Sequence, residues 1–267
     1  MTRDRHSAPT VESARTASFS GVGSEALPKL GTSEVHVWIV ECATPNTIDM
    51  TAVDFLSPAE RNRASKFRAE VDRTRFLHRR AALRAILAGY VGVRPRDVEY
   101  SVDQFGKPAV MIPQSLARLS FNTSHSADVA LIAVARSGRI GVDVEQLRLL
   151  VEAESIAAHY FAANEAAAFT ALEPRDRVGS FFNAWTRKEA IVKALGGGLS
   201  IPLDSFEVSL RPGEPPGILR WDIVDAVPQR WRLHHLEPLP GYVGAVAIDR
   251  DVSINQIMFA GSVSSQR

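Results

Sequence analysis

Two repeat lengths in the hydrophobic pattern, two residues and just under four, divide the chain into strand-like and helix-like blocks. EVHVWIVEC, Glu34 to Cys42, alternates and predicts a first strand. Ser57-Pro58-Ala59-Glu60 is a helix start, with a capping serine, proline at the first helical position and glutamate at the third. Phe67, Phe76, Leu77, Leu83, Ile86 and Leu87 then mark the apolar side of a helical region, with Asp72 as the expected break between two helices. Its other side is dense in arginine, from Arg61 and Arg63 through Arg75 to Arg84. From Val98 the period is two again. Short strands at 98–102 and 109–112 flank a turn, and Leu119 to Asn122 leads into a Ser-His-Ser turn. Residues 129–135 and 139–145 read as a hairpin about Ser137-Gly138. The second half repeats the order, with helices near 152–161, 165–172 and 181–198 and strands at 206–210, 219–224, 231–236 and 243–248. Residues 1–33 lack any period and are expected to form a flexible N-terminal arm, and 251–267 a C-terminal tail. The pattern predicts an α+β protein of two similar lobes, 34–140 and 141–250, with an acidic strand near their junction.

Two stretches within this pattern carry chemistry. In FFNAWTRKEAIVKALGGG, Phe181 to Gly198, the residues Trp185, Glu189 and Lys193 are spaced by four and share one helix face. The glycines at 196–198 follow this helix, so they read as its stop rather than as a phosphate-cradling loop, which precedes a helix. In RIGVDVEQL, Arg139 to Leu147, valines alternate with Asp143 and Glu145. Both carboxylates therefore point one way, roughly 6–7 Å apart at the backbone. Two acids on a strand and a third on a facing helix form a hard, oxygen-lined site suited to a magnesium ion that also holds phosphate oxygens. A lone D-x-E is ordinarily a solvated strand end, and Glu189–Lys193 alone would be a surface ion pair worth about 0.2–0.5 kcal/mol. Trp185, one turn earlier, argues that this face is partly buried. Lys188, next to Glu189, points elsewhere on the helix and reads as a solvated lysine as readily as a functional one.

Composition narrows the classes. The 267 residues carry a formal net charge of +1, so no global field favours nucleic acid or a membrane surface. Cys42 is the only cysteine, which excludes an intramolecular disulfide and a multi-cysteine metal site and suits a reducing cytoplasm. No apolar run reaches the ~18 residues of a membrane span. The N-terminal arginines precede no apolar core, so no secretory signal is expected.

The pair GVDVE and WTRKEAIVKALGGGL resembles the signature of 4′-phosphopantetheinyl transferases, in particular the larger, two-lobed type that activates carrier proteins of peptide and polyketide synthases. NTSHS at 122–126, FGKP at 105–108 and PLDSFEV at 202–208 extend the resemblance, which covers roughly residues 35 to 250. It implies a pseudo-dimer of two α/β lobes with the active site at their junction. It also implies Mg²⁺-dependent transfer of 4′-phosphopantetheine from coenzyme A to a serine of an acyl- or peptidyl-carrier protein, releasing adenosine 3′,5′-bisphosphate. Asp143, Glu145 and Glu189 would hold the metal. Glu189 would also take the serine proton, and Lys193 would contact the transferred phosphate. Lys107, Ser124 and His125 would hold coenzyme A, with Arg63 and Arg75 near its 3′-phosphate. At Glu60 this chain has an acid where some relatives carry a basic residue. One set of acids in a chain long enough for two lobes predicts a monomer, and neither nucleic acid nor membrane is an expected partner. Two other readings stand beside this one. A non-catalytic coenzyme A or nucleotide-binding module is argued against by the presence of all three acids. A Mg²⁺-dependent nucleotide phosphohydrolase would release free phosphate instead of modifying a carrier. Ser124 and His125 lack a third member for a hydrolase triad.

Overall fold

The computed structural model describes residues 15–18, 27–42, 50–102, 108–111, 119–223 and 228–260. The first half of the chain gives β1 (Arg15–Ser18), β2 (Glu34–Glu41), α1 (Pro58–Ala64), α2 (Glu70–Val91), β3 (Glu99–Val102), β4 (Pro108–Met111), β5 (Ser120–Ser126) and β6 (Val129–Ala135). The second half gives β7 (Ile140–Gln146), α3 (Ala153–Tyr160), α4 (Ala163–Thr170), α5 (Pro174–Leu195), β8 (Phe206–Val208), β9 (Ile218–Trp221), β10 (Arg232–Leu236), β11 (Tyr242–Ile248) and β12 (Ser253–Ala260). The expected capping box forms at the start of α1, where Ser57 and Glu60 satisfy each other's backbone N–H groups. The break between α1 and α2 lies at 65–69, just before Asp72. The central helix is longer than its apolar pattern suggested, starting at Pro174 and ending at Gly196 in the left-handed conformation.

Two sheets stack between the two long helices. The first has the order β1-β12-β2-β6-β5 and the second β10-β11-β7. Along β6, Ala130, Ile132 and Val134 pack with Leu83, Ile86 and Leu87 of α2. The intervening Val129, Leu131, Ala133 and Ala135 face the second sheet, where Ile140, Val142 and Val144 of β7 and Val246 and Ile248 of β11 meet them. The other face of the second sheet, Val243, Ala245 and Ala247, packs on Ala184, Ala190, Ile191 and Ala194 of α5. The layers therefore run helix, sheet, sheet, helix. VALIAVA in β6 is apolar throughout because both of its faces are buried.

This layering corrects four expectations. Residues 129–135 and 139–145 are not a hairpin: β6 pairs with β2 and β5, and β7 with β11. The turn at Gly138 instead carries the chain from one sheet to the other, so that β6 and β7 face each other across the inter-sheet core. Ser124 to Ser126 is not a turn but the end of strand β5, and the reversal comes after it, at Ala127 with φ 46°. The tail expected at 251–267 contains β12, which lies parallel to β2 in the first sheet with Ile257 in the core. Within the expected arm at 1–33, Arg15–Ser18 adds β1 in parallel to β12. Both segments supply hydrogen bonds to strand edges that would otherwise be open.

One glycine sets the spacing of α5 on β7. A Cβ at Gly141 would lie 2.0 Å from the Ala190 carbonyl oxygen and 2.4 Å from the Ala194 amide nitrogen. Gly141 shares its strand face with Asp143 and Glu145, so the close approach also sets how near α5 comes to those acids. Gly141→Ala is expected to cost about 1–3 kcal/mol or more, since neither clashing atom is a movable side chain. Gly179→Ala, on the same helix and in open space, is expected to be neutral or to stabilise by up to ~1 kcal/mol. Urea unfolding of the two variants checks this contrast; equal stabilities would contradict it.

Candidate active site

At one corner of the sandwich the edge of the first sheet, β5, meets the edge of the second, β7. Asn122 Oδ1 accepts the Val142 N–H at 2.9 Å, Ser124 Oγ donates to Asp143 Oδ1 at 2.7 Å, and Ser126 Oγ donates to Glu145 Oε2 at 2.7 Å. The Gln146 N–H closes the series on Ser126 Oγ at 3.1 Å. Alternate residues of β5 thus address β7 in one direction, their side chains standing in for a backbone ladder.

From the other side α5 presents Lys193, whose ammonium donates to Asp143 Oδ1 at 2.6 Å and to Ser124 Oγ at 3.0 Å. Asp143 is buried, and its Oδ2 accepts no hydrogen bond. Burial raises the Asp143 pKa, opposed by Lys193 and Ser124. Glu189, one turn before Lys193, is also raised, first by burial and then by the charge of Asp143, with Glu145 adding to it and Lys193 opposing. The expected partial burial of this helix face is observed: Trp185 stacks on Phe181 at 6.0 Å and meets Tyr160 edge-on. Among the described residues no three His, Cys, Asp or Glu side chains stand close enough to hold a metal ion as they are placed. The donor set nonetheless fits a hard cation: three carboxylates whose charges oppose one another, one with a buried, unpartnered oxygen.

Beside the acids, on the α2 side, lies a cavity of about 340 Å³ lined by Arg63, Arg79, Arg80, Ser124 and His125 together with Phe67 and Phe76. Ser124 belongs to both: it lines the cavity and its hydroxyl bonds to Lys193 and Asp143. Arg79 is half-buried and makes no hydrogen bond or ion pair among the described residues. Burial, with Arg80 and Arg75 adding to it, pulls its pKa below the usual value. His125 is likewise held below the usual imidazole range, by burial first and then by Arg79, Lys193 and Arg80, and is neutral at pH 7. Three guanidinium groups and an imidazole around one cavity form a receptor for a multiply anionic ligand.

The structure thus gathers Arg63, Ser124, His125, Asp143, Glu145, Glu189 and Lys193 around one corner. It does not bring Arg75 there. The Arg75 guanidinium is bound to Asp128 at 2.6 Å, and Arg79, one helical turn further on, lines the cavity instead. Lys107 lies outside the described residues. Glu60 is buried as the partner of Arg84 at 2.6 Å, which explains an acid at this position. The solvated reading of Lys188 is overturned. Its ammonium is fully buried, paired with Glu165 at 2.7 Å, and donates to the Leu203 and Phe206 carbonyls. It thereby ties PLDSFEV to the helix that carries Glu189. Arg79 and Ser126 were not singled out from the sequence, and Lys188 stood open, because local spacing shows a helix or strand face but not what that face meets.

A family model described as the 4′-phosphopantetheinyl transferase superfamily matches residues 139–247, and one described as 4′-phosphopantetheinyl transferase, N-terminal, matches residues 44–137. The chain is 35% identical over 215 residues to the 4′-phosphopantetheinyl transferase HetI of Nostoc sp., covering 80% of this chain and 87% of that protein. The chain belongs to the 4′-phosphopantetheinyl transferase superfamily. Another relative, the 4′-phosphopantetheinyl transferase Sfp of Bacillus subtilis, is 30% identical over 158 residues, 59% of this chain and 68% of its own length. A holo-[acyl-carrier-protein] synthase of Thermotoga maritima shares 19% identity with a TM-score of 0.31 over 43% of this chain and 63% of its own, too slight a likeness to carry an argument. The protein is thus an enzyme of this transferase family, in which coenzyme A is the co-substrate. No helix among the described residues is long and apolar enough to cross a membrane.

Arg79 offers a direct check on the cavity. Arg79→Ala removes a guanidinium with no internal partner to leave behind, so it is expected to weaken coenzyme A binding by about 10–100-fold, as for loss of a charge-assisted hydrogen bond. Arg75→Ala is expected to leave that affinity within about threefold. Calorimetric titration with coenzyme A distinguishes them; the reverse order would return Arg75 to the cavity's chemistry.

Proposed function

We propose that this enzyme transfers the 4′-phosphopantetheine of coenzyme A to a serine of acyl- or peptidyl-carrier protein domains with the help of Mg²⁺. The observation that carries this reading is Ser124, which joins the arginine-lined cavity to the Lys193–Asp143 pair. Arg63, Arg79, Arg80 and His125 would hold the phosphates on the adenosine side of coenzyme A, with Lys107 as a further binder. Ser124 and Lys193 would then lie beside the diphosphate. Asp143, Glu145 and Glu189 would hold the magnesium ion, which when bound neutralises charge on the diphosphate. The Lys193 ammonium stabilises charge that develops on the transferred phosphate.

Glu189 takes the proton from the attacking serine. The product pair is a holo-carrier and adenosine 3′,5′-bisphosphate. A monomer with one composite site suits the single set of acids that the sequence carries. A transferase that draws on coenzyme A and carrier proteins suits the cytoplasm.

Mass spectrometry of apo-carrier proteins incubated with enzyme, coenzyme A and Mg²⁺ tests the reading. Serine-linked phosphopantetheine, lost with chelator and with Asp143→Ala, is expected. Free phosphate from nucleotides with no carrier modified would favour the phosphohydrolase instead. Glu189→Gln separates its two roles. As a ligand alone, the amide would be rescued by high Mg²⁺. As the base, it leaves a plateau rate about 10²–10⁴-fold below wild type at saturating metal, and this is the expected result. A plateau within about threefold of wild type would leave Glu189 a ligand only.

A further inference from the structure

The seam between β5 and β7 treats the two acidic side chains of β7 alike. It takes one oxygen of each and leaves the other. Ser124 and Lys193 converge on Asp143 Oδ1, while Oδ2 is without a hydrogen bond. Ser126 donates to Glu145 Oε2 at 2.7 Å, and Oε1 accepts no hydrogen bond among the described residues. The two acids differ in how they are held. Asp143 has a lysine contact besides its serine, so it stays in place without Ser124. Among the described residues Glu145 has only Ser126 and the guanidinium of Arg148 at 3.5 Å, a half-exposed side chain on the loop beyond.

Ser126 is itself fixed. Its hydroxyl accepts the Gln146 N–H at 3.1 Å, so its proton is directed to the carboxylate of the preceding residue. A single hydroxyl therefore reads both the backbone of β7 and the side chain of Glu145. Glutamate has three rotatable bonds, and ordering such a side chain costs conformational entropy when nothing holds it beforehand.

We propose that Ser126 is a positioning residue for Glu145, holding Oε2 so that Oε1 is left for a cation. This rests on the metal reading above. Partners that orient a metal-ligating group typically contribute 10–100-fold in metal affinity. Ser126 touches no substrate atom, and its effect passes wholly through Glu145.

The test measures Mg²⁺ binding to the free protein by calorimetry, alongside carrier modification against Mg²⁺ concentration. Ser126→Ala is expected to weaken Mg²⁺ binding about 10–100-fold and to raise the half-saturating Mg²⁺ concentration by a similar factor. Its rate at saturating metal stays within about threefold of wild type, and its affinity for adenosine 3′,5′-bisphosphate is unchanged. Ser126→Thr, which keeps the hydroxyl on a strand that tolerates branching, restores metal affinity. If Ser126→Ala proves unstable, Ser126→Cys keeps the shape with a weaker donor and shows the same defect in smaller degree. Asn122→Ala is the control: it breaks the same seam at Val142 N–H but touches neither acid, and it leaves Mg²⁺ affinity unchanged.

Wild-type metal affinity in Ser126→Ala, or an equal loss in Asn122→Ala, would overturn the assignment and reduce Ser126 to a structural stitch. Asp143→Ala separates the two levels of the argument. If Asp143→Ala loses Mg²⁺ binding and Ser126→Ala does not, positioning fails and the metal site stands. If neither loses it, the metal reading fails as well.

Discussion

The corner where β5 meets β7 is held by side chains in place of a backbone ladder, and the active site depends on that substitution. Two sheet edges brought together usually pair main chain to main chain, or are kept apart by charge. Here β5 has spent its ladder on β6, and β7 on β11. The edges left over are joined by Asn122, Ser124 and Ser126. A backbone ladder would satisfy N–H and C=O groups only. A ladder of side chains can also satisfy carboxylates, which is how two acids come to be held at an interface between layers.

Electrostatics at this corner are balanced rather than neutral. Burial and mutual repulsion work against the charged forms of Asp143 and Glu189. Lys193 supplies one compensating charge. On the far side of Ser124 the imbalance has the opposite sign, since Arg63, Arg79 and Arg80 line a cavity with no acid among its described lining residues, and Glu60 comes within 3.6 Å of Arg80. A ligand with phosphates at one end and a metal-bridged diphosphate at the other would relieve both imbalances at once. The buried Lys188–Glu165 pair is different in kind. Glu165 also accepts the Ala162 and Val208 N–H groups, and Lys188 donates to two carbonyls, so the pair is fully satisfied and fixes α4, β8 and α5 together.

The central acids and Lys193 were legible in the sequence because each lies in a local period. Asp143 and Glu145 are two apart on a strand, and Glu189 and Lys193 four apart on a helix, so relative direction follows from geometry alone. The capping box of α1 and the glycine stop of α5 were legible for the same reason. What escaped depended on distant partners. VALIAVA and IGVDVE around a Ser-Gly turn have the local pattern of a hairpin, and only the presence of β2, β5 and β11 as alternative partners sends them to different sheets. Ser253–Ala260 looked like a tail because its alternation is weak, yet β2 offered it an edge. Arg75 and Arg79 are both arginines of one helical region. Which of them lines the cavity was decided by Asp128, which captures Arg75.

Glycine and serine divide the remaining work of building the site. Gly141 removes the atom that would hold α5 away from β7, which sets how closely the Glu189 and Lys193 face approaches the acids. Ser124 and Ser126 then settle which oxygen of each acid is occupied from the β5 side. A side chain at 141 would alter the distance between helix and strand, whereas the loss of a hydroxyl on β5 would alter only the direction of a carboxylate. Catalysis that depends on both a metal and a base is sensitive to each, because a ligand turned by one bond no longer meets its ion and a base displaced by about 1 Å no longer meets its proton. The smallest residues at this corner therefore control the placement of its most highly charged ones.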